Sequence, residues 1–388
     1  MQDQKENDMK THCFAALYKF ELIKIFKNRV AVVTFLILLV YAFVQGEFEI
    51  RGNVSPDELA AYETVNGRVI DDELIDELLE ASDDMGNITG EEGQAYKNLS
   101  EWVSDTVGYG TAFRDLDADT VYRKRDETIL DAYESSYLTQ GEIDYWKAKE
   151  NGIEKPFVYH DTAISSGILE GTANYMIIML LIIAVSLAGV YANETQRRTD
   201  PMIRASVNGG GKLYFAKLLA GMSYVLCCLV ILVSAFISYV VIRWGTGGMD
   251  SAVQLYRPFA QLDMNMWDLT GILIMLLFFG SMLLSSFALL ISNISRNALA
   301  SMAIVIGVHL TLFALSVSVP ISARYLSQFL SLMPATLVSS RLVYEFRLTD
   351  IGQYLLCYQA APILYVLLTA VFIITGYVVY DRHQIKSN

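Results

Sequence analysis

The sequence predicts an all-α polytopic membrane protein, six transmembrane helices with an inserted, mainly helical extracellular domain. Three observations predict it. The 388 residues are 53% hydrophobic with glycine left out, whereas soluble chains average about 45–50% on a count that includes glycine. Six apolar runs, 30–46, 174–192, 218–242, 269–294, 298–319 and 361–380, contain no Asp, Glu, Lys or Arg, and about 20 apolar residues make a helix that crosses the hydrocarbon core. Charge is segregated as well. The net −13 conceals 30 acidic against 10 basic residues between Glu47 and Ala173, so the rest of the chain is net positive.

Residues 1–29 form a basic N-terminal segment. Within it, Phe14, Leu17, Tyr18, Leu22 and Ile25 fall on one face of a helix over Phe14–Lys27, while Lys24 and Lys27 lie away from that face. Such a helix is expected to lie flat on the inner leaflet. The first span, 30–46, follows Lys27, Asn28 and Arg29 and precedes Glu47 and Glu49. A long polar lead and the lack of an A-x-A cleavage pattern make it a retained anchor rather than a signal peptide.

The acidic domain, 47–173, contains none of the four cysteines, Cys13, Cys227, Cys228 and Cys357. At this size a core forms without disulfides. Strand alternation is scarce from Pro56 to Gly152, and Leu74, Ile75, Leu78 and Leu79 mark the inner face of a helix. Asp115-Leu116-Asp117-Ala118-Asp119 departs from a calcium loop at Thr120 and Asp126, which leaves helix-capping acids as its reading.

After the second span, 174–192, comes a basic loop, 193–217, and then the third span, 218–242. The fourth and fifth spans, 269–294 and 298–319, are joined by a tight turn at Ser295–Asn297. Residues 320–360 are semi-apolar, broken by Pro334, and read as an external re-entrant or capping segment before the last span, 361–380, and the tail, 381–388. With both termini inside, 1–29, 193–217, 295–297 and 381–388 hold 14 of the 29 basic residues in only 65 positions. Basic loops stay cytoplasmic, so the acidic domain is expected outside.

The loop runs Tyr191-Ala192-Asn193-Glu194-Thr195-Gln196-Arg197-Arg198-Thr199-Asp200-Pro201-Met202-Ile203-Arg204-Ala205-Ser206 and continues through Gly209-Gly210-Gly211-Lys212 to Lys217. In order and spacing, Glu194, Arg198-Thr199, Ala205-Ser206 and Lys217 resemble the permease subunits of type-2 ABC exporters, the ABC-2 family. That family usually has Gly where this chain has Arg198, and often Pro where it has Ser206-Val207. With Asn66-Gly67-Arg68-Val69-Ile70-Asp71-Asp72-Glu73-Leu74-Ile75 and, near its end, Lys155-Pro156-Phe157-Val158-Tyr159, the acidic insertion is similar to that of a Gram-positive subgroup. The resemblance implies a permease in the bacterial cell membrane that moves a substrate outward, driven by a separate ABC ATPase and paired with a second permease copy or paralogue. It assigns ATPase coupling to Glu194, Arg197, Arg198, Thr199, Asp200, Arg204, Ser206, Lys212 and Lys217. From the residues themselves, Asp200-Pro201 is a cap and first-turn pair for a short helix over Asp200–Ala205, and Lys212 and Lys217 are placed to anchor the returning chain to lipid phosphates. Basic residues that merely set topology are the plainer reading of the same loop.

Other chemistry is weakly signalled. Gly209-Gly210-Gly211-Lys212 is not a phosphate loop, because Ser206 stands at the first glycine position and Leu213 at the hydroxyl position. ATP is therefore expected on the partner, with no cofactor, metal, catalytic residue or nucleic acid on this chain. His309 is the one ionisable group in a span and is read as hydrogen-bonded to a Ser or Thr of a neighbouring helix. Spans without carboxylates disfavour an ion-coupled transporter. The alternative is a membrane-anchored sensor or binding protein with an extracellular ligand domain.

Overall fold

The computed structural model describes residues 2–51, 55–90, 92–108, 111–199, 202–203, 209–295, 297–337 and 339–385. Helix α1 (Gln2–Phe26) leads into α2 (Arg29–Arg51). Helices α3 (Pro56–Tyr62), α4 (Asp72–Ala81), α5 (Lys97–Val107), α6 (Ala118–Ser135) and α7 (Gln140–Glu150) form the insertion. Then come α8 (Ala163–Leu187), α9 (Gly189–Gln196), α10 (Gly211–Trp244), α11 (Met266–Ile294) and α12 (Ala298–Ser318). Two short helices, α13 (Arg324–Ser331) and α14 (Ser339–Tyr344), precede a minimal antiparallel hairpin, β1 (Thr349–Asp350) and β2 (Tyr354–Leu355), and α15 (Cys357–Ile385) ends the described chain.

Among the described residues six helical stretches are long and apolar enough to cross a membrane: α2, α8 with α9, α10, α11, α12 and α15. The chain is an all-α, multi-pass membrane protein. Most of these helices overrun the apolar runs, the second reaching from Ala163 to Gln196 and the third from Gly211 to Trp244. Hydropathy marks where hydrocarbon begins, but the helical backbone continues past that level. Polar side chains there turn inward or cap the end, as Asn265 and Asp268 do reciprocally at the start of α11.

Second and fourth spans form the centre. The most apolar stretch of the second is 78% buried and that of α11 is 61%, against 22%, 17% and 17% for α2, α12 and α15. Gly171 of α8 lets α10 approach, since a Cβ there would run into the Phe236 ring. The second span breaks at Ala188. Ser292 of α11 repairs the break, its hydroxyl donating to the Ala188 carbonyl at 2.7 Å and accepting from the Tyr191 and Ala192 N–H groups at 3.0 and 3.3 Å. Freed backbone groups in a bundle need such a partner. His309 corrects its expectation: it is 6% exposed, on a stripe with Ser301 and Val305, and makes no hydrogen bond to a described residue.

Acidic residues cap or enter the first turn of the insertion's helices other than α5. Asp71 caps α4, Asp117 caps α6, and Thr139 with Glu142 forms a capping box at α7. Leu74, Ile75 and Leu78 are buried in one core with Trp102, Val121 and Phe157, completed by Leu255 from the α10–α11 connection. Ile129, Tyr133 and Trp146 form another, completed by Leu262, Phe346, Leu348 and Leu356. The insertion thus sits on the bundle end that carries both other connections of that side. Trp102 Nε1 donates to the Gln254 carbonyl at 2.8 Å, Trp146 Nε1 to the Phe346 carbonyl at 2.6 Å, and the Tyr133 hydroxyl to Gln261 Oε1 at 2.8 Å. Beyond α13 the chain dips inward: 330–337 is buried, and Pro334 packs against Gly280, halfway along α11.

Glu142, 1% exposed, ties the insertion to the chain on either side of that dipping segment, accepting from Arg324 at 2.6 Å and from the Leu348 N–H at 2.8 Å. Burial pushes its carboxyl up, but Arg324 and the Thr139 and Leu348 N–H groups outweigh this and hold it below the ordinary glutamate value. A depressed folded value stabilises the fold above the unfolded pKa of about 4.3, and the contribution is lost as pH falls through the folded value. The stability gap between wild type and Glu142→Gln is therefore expected to narrow between about pH 6 and about pH 3. Thermal unfolding at the two pH values measures it; a constant gap contradicts the assignment.

Candidate functional site: a buried charge network at the basic end

At the end opposite the insertion, α1 lies along α10, and α9, packed on α11 and α12, reaches them through Glu194. Four charges meet there. Lys217 of α10, with no exposed side chain, places Nζ 2.5 Å from Glu194 Oε1 of α9, 3.6 Å from Glu21 Oε1 of α1 and 3.4 Å from the Val190 carbonyl. Lys24 of α1 places Nζ 2.5 Å from the same Glu194 oxygen and 3.3 Å from Glu21 Oε2. The Tyr191 ring closes one side, its centroid 5.3 Å from the Lys217 ammonium. Two carboxylates and two ammonium groups balance. Balance of that kind is what lets charges stay buried, because each unpaired ion would cost several kcal/mol. Burial pulls the Lys24 ammonium down, yet the Glu194 and Glu21 carboxylates outweigh it and leave its pKa raised.

Tyrosines hold the frame. Tyr191 donates to the Tyr214 carbonyl at 3.2 Å, Tyr214 to the Ile373 carbonyl at 2.7 Å, and Tyr380 to the Gly209 carbonyl at 2.8 Å. The last span is thereby fastened to the start of α10. Gly209–Gly211 forms the turn into that helix, with Gly210 at its N-cap. A cavity of about 800 Å³ opens beside the network, walled by Glu21, Lys24, Glu194 and Arg197 and by the apolar Leu17 and Phe20.

Of the residues singled out from sequence, Glu194 and Lys217 are brought into direct contact. Lys217 is therefore held by carboxylates and does not reach for lipid phosphates, which corrects that expectation; Lys212, in the first turn of α10, is exposed. Asp200, Arg204 and Ser206 lie outside the described residues. Arg197, Arg198 and Thr199 are exposed and end α9. The Arg198 N–H donates to the Thr195 carbonyl at 3.1 Å and the Thr199 N–H to the Glu194 carbonyl at 3.0 Å, the bond pair of a Schellman cap. Arg198 sits at the cap's left-handed position, φ 56°, where glycine is the usual occupant. Arg198→Gly is expected to stabilise the protein by about 1 kcal/mol, the cost of a left-handed side chain. A raised thermal midpoint supports this and a lowered one refutes it.

The face of Phe14, Leu17, Tyr18, Leu22 and Ile25 is also corrected. It turns toward the bundle, where Ile25 is buried and Tyr18 and Leu22 pack against the core, while Phe20 and Ile23 point away at 65% and 40% exposure. The missed members are Glu21 and Lys24. Their signal was an acid in the middle of an apolar stripe, since Glu21 shares the face of Phe14, Tyr18 and Ile25 at helical spacing. Compared with known proteins, the chain matches no family model, no curated protein and no solved structure.

Proposed function

We propose that the chain is the membrane permease subunit of an ABC exporter, with the ATPase on a separate polypeptide. The observation that carries this reading is the Glu21–Lys24–Glu194–Lys217 network, which fastens the N-terminal helix to both helices flanking the basic loop. A push delivered to the loop would move α1, the second span and the third span together, as mechanical coupling requires. The neighbouring cavity, with its cationic rim and apolar wall, offers a partner protein somewhere to seat. In this reading the basic end is cytoplasmic, both termini are inside, the insertion is outside the cell, and the working unit is a dimer of permeases. Docking of the insertion through buried bonds to two other connections favours a part of the transport machine over a free-standing ligand sensor.

Affinity purification of the full chain from its native membranes, with the co-purifying proteins checked for an ABC ATPase, tests the proposal. The ATPase is expected to come down with the wild-type chain and with Arg198→Gly, and to be lost with Arg197→Glu combined with Arg198→Glu. Failure to recover any ATPase with the wild-type chain overturns it.

A further inference from the structure

Helix α13 is amphipathic in an unusual sense. Its Ser327, Leu330 and Ser331 are buried against the protein, while Tyr325, Leu326 and Phe329 face away at 86%, 54% and 44% exposure. Ile351 at the hairpin tip and Ile363, Val366 and Leu367 of α15 extend the same uncovered surface. Water does not tolerate so large a contiguous apolar patch on a single chain. Between these elements lies a cavity of about 350 Å³, lined by Phe329, Leu332, Leu355, Ala360, Leu364 and Leu367, within the size range of small-ligand sites. Gln328 also borders it, but its amide is spent on the Leu348 carbonyl at 2.9 Å.

Depth decides what fills it. Ile363 to Leu367 lie two to six residues into the apolar run 361–380, about 3–9 Å along the axis at 1.5 Å per residue. At that level the surrounding medium is hydrocarbon, and an apolar void offers water nothing to bond. The groove is continuous with the outward face of the last span, so it opens sideways into the bilayer. The geometry points to a binding groove for one acyl chain of a bilayer lipid, in the leaflet on the insertion's side, roofed by α13 and the hairpin. This assignment needs only the multi-pass architecture and stands apart from the transport reading.

Full-length protein in vesicles of phosphatidylcholine bearing a diazirine on one acyl chain, photolysed and mapped by peptide mass spectrometry, tests it. Segments 325–332 and 355–367 are expected to be labelled well above the outer face of α12, where Leu310, Phe313 and Val317 are equally uncovered. Ala360→Phe and, at a half-buried position that accepts bulk, Leu364→Trp are each expected to fill the groove and remove most of that excess, leaving α12 labelling unchanged. Labelling no higher than on α12, excess that survives a folded groove-filling variant, or replacement of lipid labelling by cross-links between two copies of the chain would each overturn the inference.

Discussion

Glu194→Gln is expected to cost about 3–5 kcal/mol, the penalty for leaving a buried charge without its counter-ion. Lys217 has no exposed side chain and takes its shortest contact from Glu194. Removing the carboxylate's charge leaves its ammonium with Glu21 at 3.6 Å, a carbonyl and an aromatic face. Lys217→Met should cost a comparable amount, since Glu194 would keep only Lys24, which is 44% exposed and partly satisfied by water. The double variant should lose distinctly less than the sum, because the two residues belong to one network and the uncharged Gln and Met leave no stranded ion, Glu21 keeping Lys24 at 3.3 Å. Thermal unfolding of the four proteins closes the cycle. Additive losses would mean that the two groups do not depend on each other.

The second large effect belongs to Arg125, whose side chain is completely buried. Its guanidinium donates to the Pro258 carbonyl at 2.6 Å and the Ala260 carbonyl at 3.0 Å, pairs with Glu150 at 2.5 and 3.3 Å, and lies 5.4 Å from the Phe157 ring centroid. One planar fork thus joins α6, α7 and the α10–α11 connection. Arg125→Met leaves two carbonyls and a carboxylate short of a donor, and a loss of about 3–5 kcal/mol is expected. Arg125→Lys should not restore it, because a single ammonium cannot reproduce the fork. The damage should be local: limited proteolysis is expected to open the insertion and residues 245–262, with α8 and α11 still protected. Cleavage spread evenly over the chain would assign Arg125 a general stabilising role instead.

The spans were legible in the sequence because a missing charge over about twenty residues has one strong physical cause. Their ends were not. Glu194 and Lys217 stop a hydropathy window, yet they are among the better-buried residues of the protein, since each removes the other's reason to seek water. The loop's pattern singled out both, among nine residues, without pairing them. Their partners stand some 170 positions away in sequence, as Lys24 does from Glu194, and no local period connects them. Periodicity did find the apolar face of α1. It could not say whether lipid or protein would cover that face, because both are apolar, and only Glu21 within the stripe favoured protein. The insertion's helices were readable from their caps and inner faces. The bonds from Trp146 to Phe346 and Trp102 to Gln254 were invisible for the same reason as the network, being long-range and specific to single atoms.

The unfinished cores of the insertion bear on how the chain is made. Trp146 and its acceptor Phe346 are separated by 200 residues, and Phe346, Leu348 and Leu356 all emerge after five of the six spans. A ribosome delivering the chain from its N-terminus releases the insertion long before the side chains that complete its second core exist. Until then Ile129, Tyr133 and Trp146 lack part of their cover, and Arg125 awaits the 258–260 carbonyls. The closing steps of assembly are therefore contacts of very large sequence separation, the kind that form slowly. The insertion must wait, partly open, while the membrane helices arrive to finish it.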